Sequence, residues 1–148
     1  MRVLNKRELA GLLPHQGAMC LPESVERWDA ESILCRATSH RDLDNPLRAN
    51  SHLPAICGVE YAAQAMAVHG ALAAPGNPRA GMLAALREVK LFVSTLDVVR
   101  EDLSIRARKL LSEGHRMLYE FSVETETAKL VTGRAAVVLD TTPGREQR

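Results

Sequence analysis

The sequence predicts an α+β domain in which an antiparallel β-sheet wraps around one long central helix. Three observations predict it. An alanine-rich run near the middle is apolar on nearly every face, four alternating runs follow it at short spacing, and a looser alternating stretch precedes it.

Taken in order, residues 5–12 place Leu9 and Leu12, with Leu13 following, on one side of a short helix that Asn5 can cap and Pro14 stops. Residues 18–38 alternate loosely through Val25, Trp28, Ile33 and Cys35, with Asp29-Ala30-Glu31 between, which reads as a hairpin. Residues 40–54 carry two prolines among Asp, Asn and Ser without periodicity, and read as an ordered loop. From Ala55 to Ala74 the chain has helical composition and ends at Pro75-Gly76. So little charge on that helix predicts protein on most of its sides. Strands follow at residues 83–93, 103–108, 116–123 and 130–140, the middle two joined near Glu113-Gly114. Residues 1–140 are expected to form a single domain, and residues 141–148 a mobile polar tail.

Composition narrows the function. Of 148 residues, 46% are hydrophobic and 25% charged, as in a soluble globular protein. The net charge of +1 and 3% aromatics supply neither the field nor the stacking surface that nucleic-acid binding uses. No nucleic-acid or membrane partner is expected. Cys20, Cys35 and Cys57 are scattered and match neither a disulfide framework nor a zinc site, and no histidine pair has metal-ligand spacing. No metal or cofactor is expected. The N-terminal segment lacks an apolar core of the signal-peptide kind, so a cytoplasmic location is expected.

The chemistry concentrates on the long helix. Glu60 and Gln64, four residues apart, lie on one face. A carboxylate inside an apolar helix costs several kcal/mol unless paired, hydrogen-bonded or protonated. Glu60 is therefore expected to be an acid–base catalyst or a structural anchor for the preceding loop. A Glu60 pointing into bulk solvent, or locked in a salt bridge with no hollow beside it, would overturn the enzymatic reading.

The stretches LPHQGAMCLPESV, from Leu13, and LPAICGVEYAAQAMAVHGAL, from Leu53, resemble the 3-hydroxyacyl-carrier-protein dehydratases of the hotdog superfamily. They are most similar to the branch found in aryl-polyene clusters. Pro54, Glu60 and Gln64 match in spacing, and the L-P-H segment brings in His15. The resemblance implies a hotdog-fold homodimer or higher homo-oligomer, an acyl carrier protein as partner, and a substrate tunnel at the subunit interface. There a histidine and the helix acid remove water from a 3-hydroxyacyl thioester. In the related fatty-acid dehydratases the histidine stands where this chain has Pro46, between Asn45 and Leu47. His52 and His15 are the alternative bases, and Asn45 is a candidate to orient substrate or water. His69, half a turn away from Glu60, is expected to pack elsewhere, and His40 and His115 read as loop residues.

Pro54, Ile56, Cys57 and Gly58 are candidate substrate contacts, because a helix's first turn offers free N–H groups and a positive dipole end to a thioester oxygen. Gly58 serves either close ligand approach or tight packing of helix on sheet. Two alternatives to dehydration stay open. One is a thioesterase, in which the same acid activates water. The other is a non-catalytic subunit that binds acyl chains.

Overall fold

The computed structural model describes residues 3–13, 17–74 and 81–139. His15, Pro14, Pro75-Gly76 and the expected tail at 141–148 lie outside the described residues.

Helix α1 (Lys6–Ala10) is started by a capping box: the Asn5 side chain accepts from the Glu8 N–H, and the Glu8 carboxylate accepts from the Asn5 N–H. Its Leu9 is fully buried. Strands β1 (Ser24–Trp28) and β2 (Ser32–Ala37) form the expected hairpin. Asp29 holds their turn by accepting from the Glu31 and Ser32 N–H groups. A short 3-10 turn (Ala55–Cys57) leads into helix α2 (Gly58–Ala73). Strands β3 (Gly81–Leu91), β4 (Leu103–Glu113), β5 (Arg116–Glu124) and β6 (Lys129–Leu139) complete the set.

All six strands join one antiparallel sheet in the order β1-β2-β4-β5-β6-β3. Its face toward α2 is made by alternation: Ile33, Cys35, Ile105, Ala107, Tyr119, Phe121 and Val123 point inward. Helix α2 lies across β2, β4 and β5. The α+β class and the wrapped-helix arrangement follow as the sequence predicts.

Hairpin succession holds for β4, β5 and β6 but fails for β3. That strand crosses to the far edge and pairs with β6, and residues 92–102 carry the chain back to β4. Most of β3 is exposed on both faces, Met82 at 70% among them, because α2 does not reach that edge. A bulge near Glu88, which sits at φ 54°, sets two β3 residues opposite Gly133. A side chain at Gly133 would press on the Phe121 ring at 2.8 Å, so this strand crossing requires glycine.

Candidate active site

Helix α2 presents Glu60 and Gln64 to different surroundings. Gln64 is buried: its Oε1 accepts from the Leu21 N–H at 2.8 Å and its Nε2 donates to the Met19 carbonyl at 2.7 Å. Glu60 is exposed in the single chain. The expected shared polar spot is therefore divided, since the 40° offset between these positions straddles the edge of the sheet's cover. Gln64 clamps residues 19–21, and both ends of its amide are engaged.

Glu60 heads an outward stripe that continues through Ala63 and Ala67, with Ile56, 49% exposed, before it. The expectation that the chain itself desolvates Glu60 is not met. A hollow of about 550 Å³ lies on the sheet face away from α2 and does not include Glu60. It is lined by charged side chains, several in ion pairs such as Arg108 with Glu120 at 2.9 Å and Arg134 with Glu88 at 3.4 Å.

The 3-10 turn that leads into α2 engages part of its own N–H groups. The N–H groups of Ala55, Cys57 and Gly58 already donate to the carbonyls of Ser94, Pro54 and Ala55. Gly58 faces the sheet, where a Cβ would meet Val131 Cγ2 at 2.9 Å. Its missing side chain thus serves helix-on-sheet packing rather than close ligand approach. Pro54 caps the 3-10 turn from extended backbone and bridges to Thr95. Cys57 is half-buried, and burial, with Glu60 nearby, pushes its thiol up. A thiol so shifted is a poor nucleophile.

Asn45 is buried and fully engaged. Its Nδ2 donates to the Ser39 carbonyl and the Tyr61 hydroxyl, and its Oδ1 accepts from the Leu47 N–H. The Tyr61 hydroxyl donates in turn to Ser39 Oγ, which donates to the Leu21 carbonyl, each at 2.8 Å. Asn45 thus braces the loop before α2 and does not face Glu60's stripe as a water-orienting group. Sequence reasoning missed Tyr61, whose single hydroxyl gives no sign of this role among alanines.

His52 follows a tight turn in which Ala49 and His52 exchange both backbone hydrogen bonds. Asn50 and Ser51 there have φ of 52° and 68°, the left-handed pair that a two-residue turn demands. Left-handed backbone costs a non-glycine residue roughly 1–2 kcal/mol, and glycine's unfolded-state freedom takes back about 0.5–1. Ser51→Gly is therefore expected to stabilise the protein by roughly 0.5–1 kcal/mol. Urea unfolding checks this, and an unmoved or lower midpoint would contradict it. The His52 ring is 61% exposed, and its Nδ1 lies 3.2 Å from Asp97 Oδ2.

The other described histidines separate cleanly. His115 is exposed in a turn. His69 is buried, with Nε2–H donating to the Asp29 carbonyl at 2.8 Å and Nδ1 accepting from the Tyr119 hydroxyl at 2.7 Å. Burial raises Tyr119 to about 12. His40, expected in a loop, is instead fully buried, with Nε2 shared between the Val99 and Glu101 carbonyls.

Both buried imidazoles are held below the ordinary value, by burial first; Arg41 adds to this at His40, while at His69 the Asp29 carbonyl opposes it. The unfolded chain takes up these protons near pH ~6.5, whereas the fold resists them. Their contribution is therefore complete above pH ~6.5 and declines as pH falls below it. The urea midpoint is expected to drop between pH ~7.5 and ~5.5. A flat profile in that window would contradict the burial of both neutral rings.

Comparison with known proteins now decides the family. The family model of ApeP-like proteins, described as ApeP dehydratase, matches residues 7–144. The chain belongs to the ApeP-like dehydratase family. Comparison with curated protein sequences gives no match. Among solved structures, the dehydratase heterocomplex ApeI:P from Xenorhabdus doucetiae is similar, at a TM-score of 0.80 and 26% identity over 94% of this chain and 95% of that one. A thioesterase from Haemophilus influenzae aligns at a TM-score of 0.68 and 12% identity, covering 93% of this chain and 91% of that one. A mutant thioesterase from Pseudomonas aeruginosa aligns at 0.59 and 11%, covering 78% of each. Likeness at those identities carries the hotdog fold alone.

This ApeP-like chain is thus a hotdog-fold, 3-hydroxyacyl dehydratase-like hydro-lyase. Among the described residues, none cluster as a metal site, and no helix is long and apolar enough to cross a membrane.

Proposed function

We propose that this chain removes water from a 3-hydroxyacyl thioester carried on acyl carrier protein, with Glu60 and His52 dividing the proton transfers. His52 takes the α-proton, and Glu60 protonates the departing hydroxyl. The observation that carries the reading is the match to ApeP-like dehydratases over residues 7–144, which include both side chains.

Elimination through a thioester needs a dry site, and Glu60 is exposed in one chain. A second hotdog subunit on the stripe of α2 and the edge of β3 supplies the cover. The exposed Met82, Leu83, Leu86, Leu91 and Phe92 and the unpaired β3 edge support that assembly. A homodimer is the first expectation. The likeness to a subunit of the ApeI:P heterocomplex favours a related but different partner as the second reading. Cytoplasmic carrier-bound chemistry fits either.

Purified protein is mixed with carrier protein loaded with aliphatic or aryl 3-hydroxyacyl groups, alone and with a co-expressed related subunit. Enoyl product is expected, detected as loss of water by mass spectrometry. Its absence from every combination overturns the reading, and release of free carrier thiol instead would mark a thioesterase. Light scattering is expected to give an assembly larger than one chain.

A further inference from the structure

We propose that Asp97 is the positioning residue of the His52 base, fixing the ring so that Nε2 is the atom offered to substrate. This rests on the dehydratase reading above and names a residue that reading does not use.

The geometry is specific. Asp97 stands in the connection between β3 and β4, far from His52 in sequence, and its side chain is only 8% exposed while the His52 ring is 61% exposed. Its two oxygens are divided. Oδ1 accepts from the Leu53 N–H at 2.8 Å, beside the histidine, and Oδ2 lies 3.2 Å from His52 Nδ1. The two segments are locked together by backbone bonds from Leu96 N–H to the Leu53 carbonyl at 2.8 Å and from Ala55 N–H to the Ser94 carbonyl at 3.0 Å. Burial by itself would raise the Asp97 carboxyl, but the Leu53 N–H and His52 outweigh it and hold the group below the ordinary carboxylate range. An ionised carboxylate accepts only, so His52 Nδ1 must carry the hydrogen. The neutral ring then has its lone pair on Nε2, which has no hydrogen-bond partner among the described residues. A carboxylate that selects the tautomer and steadies the resulting imidazolium is the general device for making histidine a base.

The step balances. His52 Nε2 takes the proton from the α-carbon, and the C–H electron pair becomes the Cα=Cβ double bond. The Cβ–O bond breaks, and the hydroxyl leaves as water with the Glu60 proton. His52 ends protonated beside Asp97, Glu60 ends ionised, and solvent resets both.

The test uses the assembled protein with 3-hydroxyacyl N-acetylcysteamine thioesters of aliphatic and aryl types. His52→Ala is expected to lower kcat about 10²–10⁴-fold, and Asp97→Asn, which keeps an acceptor for the Leu53 N–H, about 10²-fold at little-changed KM. In the His52→Ala background, Asp97→Asn is expected to cost nothing more, because the group it positions has gone. Imidazole is expected to restore part of the His52→Ala rate.

Wild-type activity with Asp97→Asn unimpaired, with its loss confined to KM, or with its loss multiplying that of His52→Ala, overturns the proposal while leaving the dehydratase reading intact. A wild type inactive on these thioesters and on every carrier-bound substrate overturns the dehydratase reading itself. Should Asp97→Asn fail to fold, nitrogen NMR of wild-type His52 decides. A hydrogen on Nδ1 supports the proposal, and a hydrogen on Nε2 alone overturns it.

Discussion

Glu60→Gln is expected to lower the rate of enoyl formation about 10²–10⁴-fold, the range that removal of a general acid typically costs. The change is isosteric and removes only the capacity to hand over a proton. Because Glu60 stands outward from α2 and makes no hydrogen bond to the described residues, stability should move by no more than about 0.5 kcal/mol. Assembly should also persist, since Ile56, Ala63 and Ala67 keep the stripe's shape. The measurement is product formation from a carrier-bound 3-hydroxyacyl group, with a urea midpoint recorded on the same sample. Full activity in the variant would remove Glu60 from the role of general acid, and would favour the non-catalytic, chain-binding reading where product forms only with a co-assembled subunit.

Gln64→Leu should act in the opposite sense. It leaves the Leu21 N–H and the Met19 carbonyl without partners in a site from which water is excluded. Each such orphan costs about 1–3 kcal/mol, so the expected destabilisation from the two is roughly 2–6 kcal/mol. That is a large share of a domain's stability of about 5–15 kcal/mol. Urea unfolding measures it directly. A loss below about 1 kcal/mol would show that residues 19–21 find other partners when the amide is gone. Together the two variants separate one helix into a residue held for chemistry and a residue held for architecture.

The helix and all six strands were legible because each element repeats its side chains with its own geometric period, which survives in a linear string even in β3, largely exposed in one chain. Sheet order was less so. The alternation in β3 predicts a strand but carries no information on whether its neighbour is β4 or β6, and only the three-dimensional crossing decides. The site was legible as residue types rather than as surroundings. Glu60 drew attention as a charge among alanines, yet its exposure depends on where one chain's cover ends. Gln64 and Asn45 looked like chemistry because amides serve both substrates and loops, and here their partners are backbone groups of residues 19, 21, 39 and 47 and the Tyr61 hydroxyl. His40 read as a loop residue, but it is buried against the carbonyls of Val99 and Glu101. Asp97 carried no signal at all, since its meeting with His52 is made by two segments that pair only after folding.

The bare flank of β3 also sets a demand on timing in the cell. A newly made chain that reaches its native shape before meeting its mate carries an adhesive border of main-chain donors and acceptors beside Met82, Leu83 and Leu86. Left uncovered, such a border can pair with that of another copy, so self-association of the lone chain should rise with its concentration.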